Sequence, residues 1–209
     1  MYVIRKGHML IIYKYLTKTL YTIIVFFVFK MLFFILQCLY LMLPAYCGNM
    51  APVIVKNYFN FLKIPIDFNK TLNGKPIFGK NKTYRGLIFG ILVAVIISYL
   101  QFQLTGIDFF RKLSFVDYSD WLAIGIFMGL GALLGDLIES FFKRRFGIKS
   151  GSPWIPWDQL DFVVGSIIFI SIVYHPTLTI ILTIISLSFF LHIVFSNIGY
   201  YLKLKKDKY

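Results

Sequence analysis

Long apolar runs separated by short charged intervals organise the chain. Five stretches are long enough, or nearly so, to cross a hydrocarbon core that takes about 20 mainly apolar helical residues: 31–55, 86–104, 121–141, 160–174 and 178–200. The fourth is short, and His175-Pro176 marks a tight turn into the fifth. This pattern predicts an all-α integral membrane protein of about five transmembrane helices, with its chemistry in the loops and at the helix ends.

Composition agrees: 58% of the 209 residues are hydrophobic and 23 are Phe, against roughly 45–50% apolar content in soluble domains. The net charge of +13, from 22 Lys/Arg and nine Asp/Glu, suits anionic headgroups, a polyphosphate or nucleic acid. Apolar spans separate the basic residues, which argues against nucleic acid. Cys38 and Cys47 have neither metal-site spacing nor the density of a disulfide framework and read as packing residues. His8, His175 and His192 are scattered and form no zinc pattern.

Charge also orients the spans. The loop 56–85 carries Lys56, Lys63, Lys70, Lys75, Lys80, Lys82 and Arg85 against one acid, Asp67, which places it in the cytoplasm of a multi-pass cell-membrane protein. Loop 101–120 then falls outside, and 143–158 and the tail 203–208 inside, with the N-terminus out and the C-terminus in. Arg5, Lys6, Lys14, Lys18 and Lys30 conflict with that orientation. Residues 21–55 are too few for two spans and a turn. Residues 1–30 therefore read as an amphipathic or irregular extension on the outer face, or as sequence upstream of a start at Met31 rather than Met1 or Met9. Residues 31–209 form the membrane domain.

Asp136, Glu139 and Lys143 are spaced i, i+3, i+7 and share a helix face at the cytoplasmic end of the third span. Asp158 and Asp161 repeat the i, i+3 spacing where the fourth begins. Asp158 alone could be a helix cap. Asp136 and Asp161 lie among apolar residues within spans, where ionisable groups point to function. Magnesium is held by one or two carboxylates together with water and substrate phosphates. Asp136, Asp158 and Asp161, beside Lys143-Arg144-Arg145, therefore suggest a Mg2+ and polyphosphate site. Read in isolation, the basic run is also an orientation signal.

A second basic segment, "GKNKTYRG" at 79–86, places Lys80, Lys82, Thr83 and Arg85 at the entrance of the second span. It lacks P-loop spacing and a preceding strand, but Lys and Arg make it a generic phosphate clamp. In "LPAYCGNMAP", Pro44, Gly48 and Pro52 interrupt helical bonding and Asn49 brings an amide to membrane depth. Such a break suits either a kink filled by neighbours or a ligand cavity. Gly125, Gly129, Gly131 and Gly135 suggest close helix packing.

Taken together, "LPAYCGNMAPV", "GKNKTYRG" and "GDLIESFFKRRFGIKSGSPWIPWDQLDFVVG" resemble the CTP-transferase family of integral membrane enzymes, and most closely its archaeal branch, the CDP-archaeol synthases. Ser140, Lys143, Arg144, Lys149, Pro156, Asp158 and Asp161 match the bacterial CDP-diacylglycerol synthase signature. Gln159 departs from it, and the "DQLDF" form is similar to the archaeal branch. Asn81 and Tyr84 depart from the archaeal pattern, where an acid and a tryptophan are usual.

The resemblance implies a five-span fold with a cytoplasm-facing site and a Mg2+-dependent cytidylyltransferase. Its substrates would be CTP and an isoprenoid glycerol-phosphate lipid, 2,3-di-O-geranylgeranylglycerol 1-phosphate, and its products CDP-archaeol and pyrophosphate. Asp136, Lys143, Asp158 and Asp161 would be catalytic, the three aspartates holding metal. Lys82, Thr83, Arg85, Lys143, Arg144, Arg145 and Gln159 would bind CTP or phosphate. Pro44, Asn49 and Pro52 would border the lipid cavity. A diacylglycerol-type synthase, a CTP-dependent lipid kinase and an ion or solute transporter are the alternatives. No charged midplane set or inverted repeat supports the transporter.

Overall fold

The computed structural model describes residues 2–149 and 152–201, with side chains described for 17–149, 152–194 and 197. The tail 203–208 lies outside the described residues, as do the side chains of Arg5, Lys6 and Lys14. Among the described residues there are six α-helices: α1 Tyr2–Ile54, α2 Tyr84–Leu104, α3 Asp108–Leu113, α4 Trp121–Arg145, α5 Trp157–Ile170 and α6 Leu178–Tyr201. An antiparallel pair of two-residue strands, β1 Thr71–Leu72 and β2 Lys75–Pro76, joins α1 to α2. This hairpin and α3 have no counterpart in the hydrophobic pattern.

The chain divides into two units, residues 1–37 and 38–209. The first is helical over its described part, and Leu20 through Leu32 leave their side chains exposed. The second contains every feature of the candidate site. Three helical segments, Thr17–Asn57, Tyr84–Leu104 and Tyr118–Arg145, are long and apolar enough to cross a membrane. The expected fourth span is shorter than a full crossing: α5 has 14 residues, about 21 Å at 1.5 Å per residue, against about 30 Å of hydrocarbon.

Two expectations change. First, α1 does not break at "LPAYCGNMAP"; it continues through Pro44 and Pro52 to Ile54. Close packing accommodates the segment. Pro44 is fully buried, and Gly48 lies so near α2 that a Cβ would stand 2.9 Å from the Gly90 carbonyl oxygen. Second, Lys143, Arg144 and Arg145 belong to the last turn of α4 rather than to a loop. Cations are favourable there because the helix dipole is negative at its C-terminus.

The second unit is held by close backbone contact. In lipid, neighbouring helices gain little from hydrophobic transfer and associate through packing, which small residues permit. A Cβ on Gly135 would sit 2.1 Å from the Asp161 carbonyl oxygen, and one on Gly165 would sit 2.1 Å from that of Gly131. Only glycine allows α4 and α5 to approach this closely. Gly125 and Gly129 do the same against α2, where Cβ atoms would fall 2.5 Å from Val95 Cα and 2.9 Å from Ala94 Cβ. On α1, Tyr46 hydrogen-bonds Ser188 of α6 at 2.6 Å and meets the Phe162 ring of α5 edge-on. The C-terminal end of α4 consequently meets the N-terminal ends of α2 and α5.

Candidate active site

The side chains of the candidate site are set by those three helix ends. Asp136, Glu139, Lys143 and Arg144 follow one another along the final turns of α4. Asp158 and Asp161 occupy the first turns of α5. Lys82 precedes α2, where Thr83 caps the helix by accepting from the Gly86 amide at 3.3 Å. The segment before α2 is zipped onto the preceding loop: the Ile66 amide donates to the Lys82 carbonyl at 2.9 Å and the Tyr84 amide to that of Ile64 at 3.0 Å. Lys82 is thus carried on a fixed strand-like stretch.

Carboxylate oxygens of Asp136, Glu139 and Asp161 lie within 4.8 Å of one another. Asp158 is not one of these three, although its carboxyl lies beside that of Glu139. Asp158 instead accepts from the Lys143 ammonium and from the Trp154 amide, the latter at 2.8 Å. Lys143 also approaches Glu139 at 3.0 Å, so one buried cation ties α4 to the head of α5. Lys82 pairs with Asp136 at 2.5 Å, joining "GKNKTYRG" to α4.

Between these groups lies a polar cavity of about 290 Å³, bordered by Lys82, Asp136, Glu139, Lys143, Arg144 and Asp158, with Asn81, Ser140 and Ser152 at its wall. Arg144 is 8% exposed, and no carboxylate pairs with it among the described residues; its Nε is unpartnered. A buried cation without a counter-ion is costly and is a natural receptor for phosphate oxygens. A smaller apolar-edged recess adjoins, between Pro52, Leu87 and Leu133, and shares Asn81, Lys82 and Asp136.

Other sequence candidates lie elsewhere. The buried Arg85 guanidinium donates to the Tyr58 carbonyl at 2.7 Å and to Asn60 at 3.4 Å. Arg145 turns to the hairpin, donating to the carbonyls of Leu72 at 2.6 Å and Lys75 at 3.2 Å and to that of Pro76, while Lys75 donates to the Arg145 carbonyl at 2.9 Å. Gln159 is buried with its Oε1 unpartnered. Pro52 edges the smaller recess, whereas Pro44 is enclosed and Asn49 half-buried.

Two residues matter more than the sequence pattern indicated. Glu139 shared the face with Asp136, and that i, i+3 spacing was the available signal. Asp67, 6% exposed, accepts from the amides of Phe78 at 2.9 Å, Gly79 at 3.1 Å and Asn69 at 3.0 Å. Burial raises its pKa, but those amides more than offset it and hold the carboxyl below its ordinary value. Asp67 thereby shapes the entry to "GKNKTYRG", where Gly79 takes a φ of 102° that other residues rarely adopt.

Comparison with known proteins points the same way as this geometry. A family model described as CarS-like, CDP-archaeol synthase, matches residues 31–209. A CDP-archaeol synthase of Methanocaldococcus jannaschii is 34% identical over 169 residues, covering 80% of this chain and 93% of the relative. One of Methanosarcina mazei is 37% identical over 182 residues, with coverage of 79% and 99%. A solved structure, described as an intramembrane enzyme for archaeal membrane lipids biosynthesis, superposes with a TM-score of 0.63 at 30% identity, covering 77% of this chain and 92% of that one.

Proposed function

Because the chain belongs to the CDP-archaeol synthase family, we propose that it transfers the cytidylyl group of CTP to an isoprenoid ether-lipid phosphate, 2,3-di-O-geranylgeranylglycerol 1-phosphate. A lipid phosphate oxygen attacks the α-phosphorus, the bond from that phosphorus to the bridging oxygen breaks, and pyrophosphate leaves as CDP-archaeol forms. The observation that carries this reading is a cavity in which Asp136, Glu139 and Asp158 face Lys82, Lys143 and an Arg144 that no carboxylate pairs with among the described residues, with Asp161 clustered behind Asp136 and Glu139.

The nucleophile is already an oxyanion, so the protein need not remove a proton. Its task is positioning and charge neutralisation. Arg144 takes triphosphate oxygens, and Lys82 and Lys143 share their charge between carboxylates and phosphates. The donor set, three carboxylates and no sulfur or imidazole, fits a hard divalent cation. Asp136, Glu139 and Asp161 would hold Mg2+, which when bound neutralises phosphate charge. Asp158 keeps Lys143 aimed into the cavity. Thr83 and Arg85 support this site through backbone placement, and Gln159, next to Asp158 in sequence, is buried with its amide oxygen unpartnered.

The pocket edged by Pro52, Leu87 and Leu133 gives the lipid phosphate an apolar approach. We further place the site on the cytoplasmic side of an arrangement of five membrane-embedded helices, α1, α2, α4, α6 and the short α5, which packs within the protein against α4 rather than spanning the hydrocarbon alone. Exposed Lys56, Lys63, Lys70, Lys75 and Lys80 cluster at the same end of the second unit, which agrees with the positive-inside rule.

In Asp161→Asn membranes, cytidylyl transfer from labelled CTP should fall on the order of a hundredfold, the scale of losing one preorganised electrostatic group, while the protein remains folded. Normal turnover in that variant would remove Asp161 from the reaction.

A further inference from the structure

The segment after α1 behaves unlike an ordinary polar loop. Tyr58, Phe59, Phe61, Ile64 and Phe68 are between 44% and 74% exposed. The two 3₁₀ turns there, Val55–Asn57 and Asn60–Leu62, contain no buried residue. Large apolar side chains concentrated in this way mark a surface made for a partner. The segment is nevertheless fixed. Arg85 holds the Tyr58 carbonyl and Asn60, the Phe59 ring stacks on Phe89 of α2 at 4.5 Å, and residues 64–66 pair with 82–84.

Two observations identify the partner. The segment begins where α1 leaves off, and the last α1 side chains, Met50, Val53 and Ile54, are 62%, 73% and 68% exposed. The exposed apolar surface therefore resumes, past Lys56 and Asn57, directly from a helix long and apolar enough to cross a membrane. Lys56, Lys63 and Lys70 are exposed among the aromatics. The one acid in the interval, Asp67, is buried and turned to backbone amides, so it does not neutralise that surface. Aromatic rings interleaved with cations match the headgroup level of a bilayer, and lysines close to it attract anionic lipid.

We propose that residues 58–68 form an interfacial collar: the apolar side chains sit at headgroup depth, and Lys56, Lys63 and Lys70 bind anionic headgroups of the surrounding bilayer. Through Arg85 and the 64–66 pairing, the collar fixes the height above the hydrocarbon at which Lys82 is presented. This gives Arg85 of "GKNKTYRG" a positioning role. The proposal rests on membrane insertion and not on the reaction, so it can be tested without either substrate.

The test uses the full-length chain with Cys38 and Cys47 replaced by alanine and a nitroxide attached at Phe61→Cys, a position 74% exposed. A second label at Asn73→Cys, at the hairpin tip, reports an aqueous position. Both are reconstituted in phosphatidylcholine nanodiscs with and without phosphatidylglycerol, and collision with oxygen and with a water-soluble nickel chelate is read by power saturation.

The Phe61 label should favour oxygen over nickel several-fold more than the Asn73 label, and phosphatidylglycerol should increase that preference. The triple variant Lys56→Gln/Lys63→Gln/Lys70→Gln should keep the preference in phosphatidylcholine but lose the increase. Equal nickel access at the two positions would overturn the collar. A full response to phosphatidylglycerol in the triple variant would overturn the lysine assignment.

Discussion

Substituting alanine for Gly135 tests how the site is held together. The new Cβ would lie 2.1 Å from the Asp161 carbonyl oxygen, 2.8 Å from its carbon and 3.3 Å from Phe162 Cα. All three are backbone atoms, so no side chain can rotate away. Reaching even 3.0 Å, below which real Cβ contacts essentially never fall, requires α4 and α5 to part by about 0.9 Å. Overpacking of this kind costs about 1–3 kcal/mol, or about 2–4 °C in melting temperature per kcal/mol for a chain of this size. The strain falls between Asp136, the next residue on α4, and Asp161 on α5. Because a displacement of about 1 Å can cost a hundredfold in rate, turnover should drop by about that factor.

Thermal unfolding in detergent and cytidylyl transfer to lipid would be measured on the same preparation. Gly165→Ala, which meets the Gly131 carbonyl oxygen at 2.1 Å, should lose similar stability and less activity, since its contact is farther from the carboxylates. Gly106→Ala, whose nearest neighbour is 3.8 Å away, should change neither. A Gly135→Ala protein with native melting temperature and turnover would refute the argument.

Three further outcomes follow from the side-chain geometry. Arg144→Ala should raise the KM for CTP strongly, whereas Arg145→Ala should leave it nearly unchanged and speed amide exchange in the 71–76 hairpin; the two measurements separate a phosphate ligand from a hairpin clamp. Glu139→Gln should weaken Mn2+ binding, followed by electron paramagnetic resonance, more than Asp158→Asn does, because of the two only Glu139 belongs to the three-carboxylate group; Lys143 approaches both, and Asp158 also accepts from the Trp154 amide. Asp67 has a depressed folded-state pKa, so its stabilisation is complete above the ordinary carboxylate pKa and is lost as pH falls through the lower folded value. Exchange protection at the Phe78 and Gly79 amides should follow that titration and be weak at neutral pH in Asp67→Asn.

The helical architecture was legible because runs of lipid-compatible length announce themselves one residue at a time. The carboxylate faces were legible because i, i+3 spacing fixes which side chains are neighbours on a helix. Partnerships across elements were not. Arg85 and Arg145 lie in basic stretches that look alike in sequence, yet backbone carbonyls capture one at Tyr58 and the other in the hairpin. Arg144, one position earlier than Arg145, faces the cavity only because it lies on another side of α4. The continuity of α1 through Pro44 and Pro52 was hidden for a related reason: proline's local penalty is visible in sequence, while the packing that tolerates it depends on α2. The hairpin has only two residues in each strand, too few for any alternation to register.

Which phosphorus of CTP is attacked defines the reaction. The most direct measurement incubates the purified full-length chain in lipid nanodiscs with CTP, Mg2+ and 2,3-di-O-geranylgeranylglycerol 1-phosphate, and determines the products by mass. A cytidine diphosphate lipid and pyrophosphate should form in equal amounts, both about a hundredfold more slowly with the Asp161→Asn protein. A lipid diphosphate accompanied by CDP, showing attack at the γ-phosphorus, would contradict attack at the α-phosphorus.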